Sequence, residues 1–146
     1  MKLVVDASVA LKWFFRDRDD EPDLALATEI LERFVAGEIR LLAPTHFHPE
    51  VCAVLAREAP EAMARQLSRL LGLSIPVHDD PTVLARAMEL ARELEHHLFD
   101  TLYHALALEE EAMLVTADVR YARKADDRGG IVELSSWRFE PDGDGR

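Results

Sequence analysis

Residues 2–8 read Lys2-Leu3-Val4-Val5-Asp6-Ala7-Ser8, an apolar run that ends on a carboxylate. Consecutive apolar positions with β-branched valines predict a short parallel strand over residues 2–6, covered on both faces. A run of the same kind, Met113-Leu114-Val115-Thr116, leads to Asp118. Carboxylates do not build cores, so Asp6 and Asp118 mark where the chain leaves the sheet. Further short strands are expected at 40–43, 73–77 and 131–134. Pro76 would break a ladder in a central strand, which puts the third strand at an edge.

Helical patterns fill the intervals. Ser8 reads as the N-cap of a helix reaching Phe14 or Phe15. Pro22 suits the start of the next, with Leu24, Ala27, Ile30, Leu31 and Phe34 at helical spacing and Gly37 ending it. Others are expected from 45–48 to about Arg57, from Pro60 to near Gly72, from Asp80-Pro81 to about Glu95, from near Asp100 to Glu111, and over 119–125. Strands alternating with helices imply a three-layer α/β/α domain with a parallel sheet of about five strands.

The 146 residues suit one domain, read as 1–139 with a flexible polar tail at 140–146. The net charge of −11 argues against a generic cationic nucleic-acid binder, although acids gathered in a metal site count toward that total. Cys52 is the single cysteine, which excludes an intrachain disulfide and a cysteine zinc cluster; its apolar neighbours Val51 and Ala53 suggest a buried thiol. Asp6 and Lys12 interrupt the apolar N-terminus and no small-residue cleavage site follows, so the segment does not read as a secretory signal. No window approaches a membrane span, and a cytoplasmic protein is expected.

In an open parallel α/β sheet, ligands bind beyond the carboxyl ends of the strands. Asp6 and Asp118 fall there. Glu50 and Asp100 are expected in first helical turns on the same rim. Each acid has a simpler explanation, as an N-cap or as a partner of the helix dipole. Their conjunction is harder to explain. Clustered carboxylates repel unless cations neutralise them, and oxygen ligands suit Mg²⁺ or Mn²⁺ rather than zinc. Such ions activate water and stabilise a phosphodiester undergoing attack.

The motifs carry a resemblance. Val4-Val5-Asp6-Ala7-Ser8-Val9-Ala10-Leu11-Lys12-Trp13-Phe14, Pro49-Glu50-Val51, Phe99-Asp100-Thr101-Leu102-Tyr103-His104-Ala105-Leu106-Ala107 and Leu114-Val115-Thr116-Ala117-Asp118 occur in that order. Together they resemble the PIN-domain ribonucleases, and among these the VapC-type toxins of toxin–antitoxin pairs. The resemblance implies a Mg²⁺- or Mn²⁺-dependent endoribonuclease with Asp6, Glu50, Asp100 and Asp118 at the acidic metal-site positions. Ser8 and Thr116 match its small hydroxyl positions. Phe99 stands where the family usually has tyrosine, and Pro49 beside Glu50 is less typical. The family also implies a homodimer and a small antitoxin whose C-terminal segment covers the site.

Lys12, Arg16, Arg120, Arg123 and Lys124 are the candidates for RNA phosphate contacts, with plain surface solvation as the alternative for each. His46 and His48 would not share a helical face. His96 and His97 suit a helix end. His104 follows Asp100 by four residues and could support it, although a partly buried polar residue is the simpler reading. Trp13, Phe14 and Phe15 read as core or dimer contacts before RNA-stacking platforms. Glu109-Glu110-Glu111 reads as a solvated helix end. Two rival readings are an inactive PIN-like binding module and an aspartyl-phosphate phosphotransfer domain. The second fits poorly: a phosphatase of that kind wants an acid where Ser8 stands, and Lys124 lies well beyond its strand.

Overall fold

The computed structural model describes residues 1–18 and 23–143. Five parallel strands form the sheet: β1 (Lys2–Val5), β2 (Arg40–Pro44), β3 (Val77–His78), β4 (Met113–Thr116) and β5 (Ile131–Glu133). Their order is β3-β2-β1-β4-β5. Among the described residues, seven α-helices accompany them: α1 (Ala7–Ala10), α2 (Leu24–Val35), α3 (Phe47–Glu58), α4 (Met63–Gly72), α5 (Pro81–Leu94), α6 (Leu98–Glu109) and α7 (Val119–Ala125). The expected three-layer α/β/α architecture is the one observed.

The strand order creates the site's location. β2 and β3 extend the sheet to one side of β1, while β4 and β5 extend it to the other. The reversal falls between β1 and β4, and it opens a crevice beyond their carboxyl ends. Register then sets the partners: Val5 pairs with Val115, so Asp6 follows one strand and Thr116 stands beside it on the other.

The central strands are buried as their sequences demand, with Leu3, Val4, Val5, Leu114 and Val115 essentially inaccessible. Helix α6 is buried at every position from Thr101 to Ala107, which fits a helix apolar nearly all round. Thr101 satisfies its hydroxyl on the Ala87 carbonyl at 2.9 Å, tying α6 to α5. Trp13 lies in a short 3-10 turn after α1 and donates to the Ala27 carbonyl at 2.8 Å. Together with Phe14 and Phe15 it belongs to the core.

Several local expectations change. Asp6, not Ser8, caps α1, because its carboxylate accepts the Val9 N–H at 3.3 Å. The helix stops at Ala10 and the 3-10 turn replaces its expected second half. β3 is only Val77–His78; Pro76 has no N–H to give, and its carbonyl instead accepts the Ala43 N–H. That strand does lie at an edge. Helix α6 starts two residues before Asp100 and stops at Glu109, short of Glu111, whose φ is +53°. Asp80-Pro81 opens α5 as expected. The expected helix start at Pro22 lies outside the described residues. Cys52 is half-buried with a free thiol.

Candidate active site at the β1–β4 crevice

Asp6 is held by two hydroxyls. Ser8 donates to its Oδ1 and Thr116 to its Oδ2. Each hydroxyl has one proton, so each must act as acceptor toward its other neighbour. Ser8 Oγ accepts the Ala117 N–H at 3.1 Å, and Thr116 Oγ1 accepts the Asp118 N–H at 3.0 Å. Backbone donors thereby turn both hydroxyl protons toward Asp6, an environment made for an acceptor-only carboxylate. The residue keeps some exposure, but its carboxyl group is enclosed. Burial raises its pKa to about 6 against the lowering effect of these hydrogen bonds, and the Glu50 charge adds to the rise. At neutral pH Asp6 is still ionised.

Glu50 occupies the first turn of α3. Pro49 is the third residue of that helix, where a missing N–H breaks no intrahelical bond. The unusual proline therefore leaves Glu50 in place. The Tyr103 hydroxyl donates to Glu50 Oε2 at 3.0 Å. Burial pushes the Glu50 pKa up, Tyr103 opposes this, and the Asp100 charge reinforces it. Burial and the Glu50 charge hold the Tyr103 hydroxyl protonated, so it remains a donor. His46 packs on Tyr103 and Phe99 at centroid distances of 4.5 and 5.4 Å. Its Nε2 comes within 3.4 Å of Glu50 Oε2, yet neither ring nitrogen makes a well-formed hydrogen bond. Burial favours the neutral ring, against smaller effects of the Phe99 backbone and the Asp100 charge.

Asp100 lies in the first turn of α6, and Asp118 caps α7 by accepting the Tyr121 N–H at 3.0 Å. His96 joins them. Its Nε2 is 2.9 Å from Asp100 Oδ2, and one ligand atom from each of His96, Asp100 and Asp118 falls within 4.8 Å of the others. A mixed imidazole–carboxylate set of this size suits a divalent cation, so the residues fit one.

His104 supports this group from below without touching Asp100. It is fully buried, with Nε2 2.7 Å from the Gly129 carbonyl and Nδ1 2.9 Å from the Tyr121 hydroxyl. A carbonyl only accepts, so Nε2 carries the proton. Burial disfavours a second one, so Nδ1 accepts from Tyr121. Gly129 reaches this position at φ +70°, where glycine is favoured. Tyr121 in turn packs its ring on His96 at 4.7 Å.

The four predicted acids therefore occupy one rim in two linked groups. Asp6 is coupled electrostatically to Glu50, and Glu50 to Asp100. The basic candidates divide. Arg120 and Lys124 line a cavity of about 610 Å³ together with Asp118, His96 and His97. Arg123 lines a different cavity beside Glu133, and Arg16 lines a third near Phe14 and Arg69. Lys12 is buried. Sequence reading takes His96 only as suiting a helix end and gives Tyr103 and Tyr121 no site role; the four-residue spacing of His96 from Asp100 is the available signal. A second opening of about 500 Å³, lined by His46, Pro49, Glu50, His97, Phe99 and Asp100, lies against the same acids.

The family model that matches this chain places it in the nuclease class, with the acid-lined crevice at the switch point of its parallel α/β/α sheet. The chain belongs to the PIN domain family, whose model matches residues 3–127. Solved structures share the fold. A protein from Pyrobaculum aerophilum is 21% identical, with TM-score 0.63 over 93% of this chain and 91% of that one. A toxin–antitoxin complex from Klebsiella pneumoniae is 17% identical, with TM-score 0.62 over 90% and 97%. VapBC-1 from nontypeable Haemophilus influenzae is 16% identical, with TM-score 0.64 over 93% and 100%. No curated protein matches the sequence. Among the described residues, no helix is long and apolar enough to cross a membrane.

Proposed function

We propose that this protein is a divalent-metal-dependent endoribonuclease and the toxin of a toxin–antitoxin pair. The observations that carry the reading are the hydroxyl-locked Asp6 at the end of β1 and the converging Asp100–Asp118–His96 group, linked to it electrostatically through Glu50. Asp6, Asp100 and Asp118 would hold Mg²⁺ or Mn²⁺. The bound ion supplies Lewis-acid activation of water and neutralises charge building on the phosphate.

The chain's own residues do the rest. Ser8 and Thr116 keep Asp6 ionised and fixed in orientation. Glu50, with its pKa raised and Tyr103 holding one oxygen, is suited to orient water or take up a proton. Arg120 and Lys124 offer cations to the phosphates beside Asp118. Phe99 is 62% exposed at the second opening and presents an aromatic face to an unpaired base.

An antitoxin partner is supported by two similar folds described as VapBC or toxin–antitoxin complexes. Met63, Leu67 and Leu71 form an exposed apolar stripe along α4, which suits contact with a second copy or with the antitoxin. The reading is tested by inducing wild type and Asp6→Asn in a bacterial host and mapping new RNA 5′ ends. Growth arrest with discrete cuts from wild type alone supports it. No arrest and no cuts would favour an inactive binding module.

A further inference from the structure

We propose that His96 is a direct ligand of the divalent ion, making this a mixed nitrogen–oxygen centre that prefers Mn²⁺ to Mg²⁺. The inference rests on the metal-dependent reading above but goes beyond an all-carboxylate site.

The backbone fixes His96 on both sides. Glu95 ends α5 in the left-handed region at φ +50°, and His97 is the N-cap of α6. The imidazole is clamped against Tyr121, itself held by Asp118 at its N–H and by His104 at its hydroxyl. The side chain is 15% exposed, and what remains open faces the cavity shared with Asp118, Arg120 and Lys124. A surface histidine that merely ended a helix would not need this enclosure. Its Nε2 points at Asp100 Oδ2, 2.9 Å away, within a group where three ligand atoms converge.

The donor chemistry decides the preference. Mg²⁺ takes oxygen ligands and sheds water reluctantly, so an imidazole adds little to its binding. Mn²⁺ stands at the foot of the first-row affinity order for N/O sites, but it accepts an imidazole nitrogen from which Mg²⁺, held to oxygen ligands and its own water, gains little. Ligation through Nε2 requires the neutral ring with its proton on Nδ1. This is a tautomer shift that releases no net proton from a neutral imidazole. Asp100, now within hydrogen-bond distance of His96 Nε2, would hold the ion beside it.

The test is pulsed electron paramagnetic resonance on Mn²⁺ bound to the full chain, which detects ¹⁴N coupling from a ligating imidazole. Wild type should show that coupling. His96→Gln, which keeps a polar group near Asp100, should lose it. His97→Gln should retain it. Calorimetry should show Mn²⁺ affinity falling by at least about tenfold in His96→Gln, the loss that removing even a partner behind a ligand costs, with Mg²⁺ affinity changing far less. Mn²⁺ bound without nitrogen coupling overturns this inference alone, as does coupling lost in His97→Gln instead or an equal loss of both metals. No Mn²⁺ binding by a folded wild type overturns the proposed function together with it.

Discussion

Thr116 donates its hydroxyl proton to Asp6 across 110 residues of sequence, joining the ends of two neighbouring parallel strands. The same oxygen accepts the Asp118 N–H. One threonine thus orients one acid by its proton and positions the backbone of another by its lone pair. Ser8 does the corresponding work on the other oxygen of Asp6. Asp6 and Asp118 are thereby tied to strand ends, while first helical turns carry Glu50 and Asp100.

The enclosure of Asp6 has a cost that pH reveals. Its folded pKa of about 6 lies above the ordinary 3.8. The protonated form is therefore favoured in the folded state. Its contribution to stability is full below about pH 4 and is lost as pH rises through about 6. A shift of that size corresponds to at most about 3 kcal/mol. In metal-free buffer, Asp6→Asn should stabilise the protein at pH 7.5 by about 1–2 kcal/mol, since a reoriented hydroxyl takes back part of the gain. The advantage should vanish near pH 4. Denaturant melts at the two pH values check this; an Asp6→Asn protein that is less stable at pH 7.5 would contradict it.

Tyr103→Phe removes the donor that holds the Glu50 pKa down against burial. The acid limb of the pH profile of kcat/KM should move to higher pH, with activity approaching wild type at alkaline pH. A profile that is lower throughout but unshifted would indicate a structural effect only.

The sheet was legible because buried parallel strands leave continuous apolar runs, as Leu3-Val4-Val5 and Leu114-Val115 do. The acids were legible because each stands at a position where a core residue is excluded. Other features depend on tertiary contacts that spacing does not encode. Asp6 displaces Ser8 as the cap because the Ser8 proton is drawn to Asp6 and its lone pair to Ala117. His96 enters the site because a left-handed residue at Glu95 and the ring of Tyr121 aim it there. Arg120 and Lys124 separate from Arg123 because a helical turn sends neighbouring side chains to different faces.

Arg120→Ala and Lys124→Ala should weaken binding of single-stranded RNA to the cleavage-deficient Asp6→Asn protein. Each should reduce the slope of log K against log salt by about 0.7 if it neutralises one phosphate. Arg123→Ala, which faces another cavity, should leave the slope unchanged. Binding titrations at several salt concentrations separate these outcomes.

Phe99→Leu keeps apolar cover over His46 but removes the aromatic face. If a base stacks there, KM for single-stranded RNA should rise about fivefold, the lower end of a stacking contribution of about 1–3 kcal/mol. Thermal stability should change little, because the residue is mostly exposed. Steady-state kinetics beside a melting curve check this.

The central claim is that Asp6, Asp100 and Asp118 form one metal-dependent nuclease site. Its most direct test is cleavage of single-stranded RNA by purified wild type, Asp6→Asn and Asp100→Asn, with Mn²⁺ and with chelator. Wild type should cut only with metal, and both variants should lose at least 10²-fold in rate while keeping cooperative melting curves. Wild-type-like cleavage by either folded variant, or cleavage that persists in chelator, would contradict it.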